Sequence, residues 1–145
     1  MKSLFFLGKK PILICLLMAV LGLVSVSAET WAQFIDRTHL MENNFQTGIS
    51  RGHWSTWSND KWAALMATTY WLEGAYEDIF KNAPHLTQYE RDIYRGIWQR
   101  RRTQSDDMKR LLDLAGLSNS DRREIVRRWE YWEEHLEKGG TIRIN

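Results

Sequence analysis

Apolar residues recur every three or four positions in four stretches of this chain, a spacing that is typical of amphipathic α-helices. The stretches run over 29–47, 58–81, 87–116 and 118–140. The last three stretches begin at Ser58, Thr87 and Ser118, and serine or threonine in this position is a usual helix start. Since short connections join the stretches, the sequence predicts an all-α fold, a small bundle of about four amphipathic helices.

The same pattern predicts how the bundle is filled. The second stretch is the most apolar, so we expect its helix to be the most buried. The third spans most of 87–116 and is long for a globular helix, which allows a break near Thr103, Gln104 and Ser105. Residues 141–145 alternate like a strand but have no visible partner, so 139–145 are predicted to be a flexible C-terminal tail. The helical domain is then 29–138.

Residues 1–28 have the layout of a secretory signal peptide. Three lysines precede an apolar run from Ile12 to Val24, and small residues follow up to Ala28. Because the run is shorter than the roughly 20 residues of a membrane span, we expect cleavage after Ala28. An uncleaved anchor is the alternative, and it would be the protein's only membrane attachment. The predicted location is therefore exported, periplasmic or secreted.

Export changes what the composition implies about partners. The leader holds three of the 20 basic residues and none of the 18 acidic ones, so residues 29–145 carry 17 basic and 18 acidic side chains. This balance argues against a nucleic-acid partner. The single cysteine, Cys15, lies in the leader, so the exported part must be held together by packing, to which all eight tryptophans contribute.

Chemistry-bearing motifs are few. The sequence shows no serine-hydrolase or phosphate-loop pattern, and its exported part has no cysteine nucleophile. His39 and Glu42 share a helix face, but the other histidines are scattered and no paired metal-ligand spacing occurs. We therefore predict no metal and no cofactor, and the sequence favours a binding protein over an enzyme.

Three charged residues fall on the apolar sides of their predicted helices: Glu73, Arg101 and Glu133. Buried charges are costly unless they are paired. The favoured interpretation is a buried polar network in which both glutamates share Arg101 with tyrosine hydroxyls. The alternative is catalytic: Glu73 and Glu133 would be the paired carboxylates of a small envelope glycoside hydrolase.

The opposite face of the third helix combines basic side chains with an indole. This predicted binding face consists of Arg91, Arg95, Trp98, Arg102 and Lys109. An exposed indole flanked by cations could bind a protein or an anionic envelope component through cation–π contact. Alternatively, Trp98 packs on a neighbouring helix and the arginine stems cover it while their charged ends stay in water.

The string WSTWS at 54–58 is similar to the WSxWS signature of cytokine receptors and thrombospondin-type repeats. Those domains are β structures with disulfides, whereas here the flanks are helical and the exported part has no cysteine. We therefore interpret Trp54 and Trp57 as loop anchors that fold back on the bundle, with the serines as turn and cap residues.

Two helix starts resemble one another, with Leu86-Thr87 and Leu117-Ser118 lying 31 residues apart and each followed by an acidic residue and arginine. In this respect the C-terminal half resembles the Spy/CpxP/ZraP-type periplasmic stress proteins, whose helices begin with LTxxQ motifs. The resemblance implies a cradle-shaped helical dimer that binds unfolded clients or senses envelope stress. The predicted function is thus an exported, non-enzymatic binding protein. The alternatives are the hydrolase and an adaptor subunit of an envelope or secretion assembly.

Overall fold

The computed structural model describes residues 28–145, so the predicted leader lies outside the described residues except for Ala28. Four α-helices account for most of this part of the chain, and they confirm the predicted all-α bundle. They are α1 (Trp31–Ser50), α2 (Asn59–Asn82), α3 (Gln88–Leu114) and α4 (Asn119–Glu137). No helix within 28–145 combines the length and apolarity of a membrane span.

Each helix begins where a serine or threonine caps it. The side-chain oxygen of the cap accepts a hydrogen bond from the backbone N–H three residues later, at Thr30, Ser58, Thr87 and Ser118. At Thr30 and Thr87 the third residue, Gln33 or Glu90, bonds back to the cap and completes a capping box. The helix starts are therefore encoded locally.

Helix α2 is the centre of the bundle, as its apolar sequence predicts, and the main helix-to-helix contacts all include it. Helix α1 runs antiparallel to α2, with Phe34 against Trp71. Helix α3 is also antiparallel to α2 and packs Trp98 against Phe80. As a result α1 and α3 lie side by side along one flank of α2.

Helix α3 is continuous through residues 103–105, where the sequence allows a break. Ser105 is buried and its hydroxyl bonds with that of Thr69 on α2, at an Oγ–Oγ1 distance of 3.2 Å. Arg101, Met108 and Leu112 are buried on the same side of the helix. The polar segment continues as helix because α2 supplies partners for its inward side chains.

The C-terminal residues lack helix or strand, but they are packed, which differs from the flexible tail that the sequence predicts. Ile142 and Ile144 are only 2% and 3% exposed. The Asn44 amide donates to the Ile142 carbonyl at 2.7 Å, and the Ile142 N–H donates to the Met41 sulfur at 3.2 Å. The alternating isoleucines therefore belong to the core, with α1 as their partner.

Gly48 of α1 makes room for this tail, so Gly48→Ala is expected to destabilise the protein by about 2 kcal/mol, as overpacking does. A β-carbon there would lie 2.5 Å from Ile144 Cγ2 and 3.2 Å from Leu65 Cδ2. Urea denaturation of both proteins measures the difference. In a chain ending at Arg143 the substitution should cost much less, and an equal cost in both backgrounds would contradict this placement of the tail.

Candidate functional site

A cleft of about 620 Å³ lies between α1 and α3, and α2 contributes one side chain to its wall. This volume is within the range of small-molecule sites, roughly 300–1,000 Å³. Eight side chains line it: Glu42 and Gln46 from α1, Tyr76 from α2, and Ile97, Arg100, Arg101, Thr103 and Gln104 from α3. The cleft exists because α1 and α3 both pack on α2 without closing on one another.

Arg101 lies at the bottom of this cleft with 1% of its surface exposed. Its Nη1 donates to Glu42 Oε2 at 3.0 Å and to Gln104 Oε1 at 2.5 Å. Its Nη2 donates to Thr69 Oγ1 at 2.9 Å, and Nε has no acceptor within residues 28–145. Burial lowers the pKa of Arg101 and the Glu42 carboxylate opposes that shift. An arginine remains cationic in such a setting, so the cleft has a fixed positive charge at its base.

Glu42 neutralises that charge and connects the three helices. Its carboxylate accepts from Arg101 and, at longer range, from Gln46 Nε2 at 3.2 Å and the Tyr76 hydroxyl at 3.4 Å. Burial raises the pKa of Tyr76, so its hydroxyl stays protonated and able to donate. The Glu42 side chain is 23% exposed, which leaves it accessible from the cleft.

The three charged residues predicted to form one network are not joined by hydrogen bonds or ion pairs. Arg101 pairs with Glu42, whereas Glu73 lies 4.0 Å from Arg102 Nε. Burial raises the pKa of Glu73, and hydrogen bonding to Ser105 opposes the rise. Each residue is on the inward side of its own helix, as predicted, but a helical wheel does not say which helix lies opposite.

Glu133 of α4 is separate from both of the others. It is 8% exposed, and its Oε2 has no hydrogen-bond partner in the described part of the chain. Neither it nor Glu73 lines the cleft. The cleft therefore contains a single carboxyl group, Glu42, where a glycosidase requires two.

The environment of Glu133 makes stability depend on pH. Burial raises its pKa to about 7, and the carboxylates of Glu137 and Glu130 add to the rise. Between about pH 5 and 7 the folded state then binds more protons than the unfolded state, so stability falls as pH rises, by up to about 2 kcal/mol. Urea denaturation at pH 5 and pH 8 measures this change.

Glu133→Gln should remove most of this dependence and leave the smaller contribution of Glu73. The exposed carboxyls with lowered pKa, such as Glu90 and Asp113, titrate below this window and do not interfere. An unaltered pH profile in Glu133→Gln would contradict the assignment.

The predicted binding face of α3 is engaged by the protein itself. Trp98 is half-buried against Phe80, with a centroid distance of 5.2 Å. Arg91 donates to the backbone carbonyls of Phe80 and Ala83 at the end of α2. Arg102 lies over the Trp98 ring, Arg95 over the Phe80 ring, and Lys109 pairs with Asp113. Of the two predicted arrangements, the structure therefore has the one in which the Trp98 indole packs on a neighbouring helix and arginine side chains cover it.

The WSTWS string forms a short 3₁₀ turn, Trp54–Thr56, that leads into α2. Trp57 packs edge-on against Trp62 with a centroid distance of 4.7 Å, and its Nε1 donates to the Gly52 carbonyl at 3.2 Å. Trp54 is half-buried against the core. Both tryptophans lie where loop anchors would, and Ser58 caps α2.

Sequence reasoning missed most of the cleft. From the sequence, Glu42 stands out only as a candidate metal ligand beside His39 and Gln104 only at the allowed helix break, whereas nothing marks Gln46, Tyr76 or Arg100. One signal was present: Glu42 with Gln46 and Arg100 with Gln104 are both four residues apart, which places polar pairs on one helix face. Within residues 28–145, no cluster of three or more metal-ligating side chains occurs.

Gly96 lies in the middle of α3 beside this cleft, although glycine is unfavourable in a helix interior. A β-carbon there would have its nearest neighbour, Arg100 Nη1, at 3.9 Å, an ordinary contact. Gly96→Ala is therefore expected to stabilise the protein by about 0.5–1 kcal/mol, measured by urea denaturation. Destabilisation would show that the site is more crowded than this geometry indicates.

Comparison of the chain with protein families, with curated proteins and with solved structures finds no match. The resemblance to Spy/CpxP/ZraP-type proteins therefore stays a prediction.

Proposed function

We propose that this protein is an exported, non-enzymatic binding protein of the cell envelope, and that its ligand binds in the cleft between α1 and α3. The observation that carries the proposal is the buried Arg101–Glu42 pair at the base of an open cleft. A buried ion pair contributes little net stability compared with apolar packing, so its position beneath a cleft favours a role in recognition.

The lining supports binding and offers little equipment for catalysis. Its single carboxylate, Glu42, accepts hydrogen bonds from three donors, which hold it in place in the cleft. The cationic side chains of the lining are Arg100 and Arg101, and arginine is a poor general acid or base near neutral pH. Such groups bind and orient a ligand.

The proposal of export rests on the signal-peptide layout of residues 1–28, and it predicts the N-terminus of the exported protein. In a bacterial host with an intact secretion pathway, the protein from the periplasmic fraction should begin at Glu29 by intact mass. The first helix fits this cut, because the Thr30 cap and the Glu29–Arg37 ion pair at 2.8 Å both lie after it. A mass that retains residues 1–28 would support the anchor alternative.

A site-specific label tests the cleft. Since the exported part has no cysteine, Thr103→Cys places a single thiol at the cleft, and Ser120→Cys places one on the exposed surface of α4. Each is coupled to an environment-sensitive fluorophore and titrated with soluble fractions of envelope extract. We expect a saturable change from the Thr103 label only, and its weakening when Gln104→Ala is added.

Equal responses from both labels would mean nonspecific adsorption and would contradict the proposal. No response from either label, over extract fractions that cover small molecules and proteins, would contradict it as well. The adaptor and homodimer alternatives stay predictions. Size-exclusion chromatography of the purified protein tests the homodimer, and coelution from a periplasmic extract tests the adaptor.

A further inference from the structure

We infer that the cleft ligand is a saccharide carrying one carboxylate, with Arg100 as the group that binds the acid and the fixed polar side chains as the groups that bind hydroxyls. This inference rests on the proposed binding function and specifies its ligand class.

The first step is the charge of the lining. Arg101 and Glu42 neutralise each other across a 3.0 Å ion pair. Arg100 is exposed and has no ion pair or hydrogen bond with the described residues. The cleft is thus left with one positive charge, which complements one negative charge on a ligand.

The second step is the hydrogen-bonding capacity that the protein leaves unused. Gln104 Oε1 accepts from Arg101, which orients its NH₂ as a donor, and Gln46 Nε2 donates to Glu42, which leaves its carbonyl as an acceptor. The Thr103 hydroxyl, exposed on the cleft, can do both. The lining thus keeps both donors and acceptors free, and sugar hydroxyls match them because each hydroxyl both donates and accepts.

The third step is the rigidity of these groups. The Arg101 guanidinium is held by Glu42, Gln104 and Thr69, and its plane lies over the Phe45 ring with its carbon 4.4 Å from the centroid. Through these bonds the buried arginine fixes Glu42 and Gln104 before any ligand arrives. Preorganised polar groups lose less conformational entropy on binding, which matters for a small hydrophilic ligand.

The same lining disfavours the other ligand classes. A bound amphipathic helix requires several apolar anchors in its groove, and the lining offers one aliphatic side chain, Ile97. A peptide that binds by adding a strand requires a strand edge, and residues 28–145 have none. A nucleic acid requires more than a single free cation.

The test uses the chain from Glu29 to Asn145 and ¹H–¹⁵N NMR titrations with defined probes. The probe is D-glucuronate. D-glucose is the same kind of sugar without the charge, acetate is a carboxylate without the sugar, and an acidic peptide represents protein ligands. We expect D-glucuronate to shift amides around Arg100 and Gln104 and to bind about tenfold more tightly than D-glucose, a difference of about 1.4 kcal/mol.

Two variants assign the roles. Arg100→Gln should weaken D-glucuronate about tenfold and leave D-glucose unchanged, whereas Gln104→Ala should weaken both. Arg102→Gln is the matched control, because Arg102 is a neighbouring exposed arginine that does not line the cleft, and it should bind like the parent protein.

The outcomes separate the two proposals. If acetate binds as tightly as D-glucuronate, or if the acidic peptide shifts the same amides while the sugars do not, the saccharide inference is wrong and the binding function stands. If no probe binds and the Thr103 label also fails to respond to extract, both are wrong. If Arg102→Gln loses as much affinity as Arg100→Gln, the anion lies on the outer face of α3 and not in the cleft.

Discussion

Arg101→Ala is expected to lower the free energy of unfolding by about 3 kcal/mol, because removal of one partner of a buried ion pair leaves the other uncompensated. The substitution removes the Arg101 donor from Glu42, removes one of the two hydrogen-bond partners of the Thr69 hydroxyl and empties the space beside Phe45. Glu42 keeps some contact with water, which places the loss at the lower end of the range for buried pairs. Urea denaturation with a two-state fit measures it.

The neighbouring Arg100 provides the control for Arg101. It is exposed and makes no ion pair in the described structure, so Arg100→Ala should change stability by less than about 0.5 kcal/mol. A second substitution, Glu42→Gln, should recover part of the loss when added to Arg101→Ala, because it removes the unpaired carboxylate. If Arg101→Ala is as benign as Arg100→Ala, the buried pair is not what holds the three helices at the cleft.

Arg37→Ala is expected to lower the free energy of unfolding by a similar amount, about 3 kcal/mol, since hydrogen bonds from charged donors are among the stronger ones. Arg37 donates to both carboxylate oxygens of Glu29 at 2.8 and 2.9 Å. It also donates to the carbonyls of Leu136 and Gly140 at the end of α4, and its guanidinium carbon lies 4.8 Å from the Trp71 centroid. One side chain thereby joins α1, α2 and the end of α4.

Arg37→Lys separates charge from geometry in that junction. An ammonium group keeps the charge but lacks the planar fork, so it cannot serve Glu29 and two carbonyls together. In the same denaturation experiment, we expect Arg37→Lys to have a free energy of unfolding between that of the parent protein and that of Arg37→Ala. Arg123→Ala, on the exposed side of α4, is the control and should be near neutral. Equal stability of Arg37→Lys and the parent would show that the charge alone suffices.

The features predicted well from the sequence are those encoded within a few residues. The starts of α2, α3 and α4 depend on a cap side chain and the amide three positions later, so Ser58, Thr87 and Ser118 were sufficient to locate them. The burial of α2 followed in the same way from its own apolar residues.

The features that could not be predicted depend on which elements lie opposite each other. A helical wheel places Arg101 on an inward side, but whether Glu42, Glu73 or Glu133 faces it depends on the arrangement of four helices, which the periodicity does not contain. Trp98 illustrates the same limit: its helix face was clear, but the presence of Phe80 to cover it was not. The isoleucines of the predicted flexible tail show no partner in the sequence, because α1, on which they pack, lies about 100 residues away.

That last contact has a consequence for how the chain folds. The hydrogen bonds from Arg37 to the Leu136 carbonyl and from the Ile142 N–H to the Met41 sulfur span 99 and 101 residues. Closure of so long a loop carries a large entropic cost, and the core lacks Ile142 and Ile144 until it occurs. A chain that emerges from the ribosome with its N-terminus first would thus remain incompletely folded until Ile142 and Ile144 are free to pack on α1.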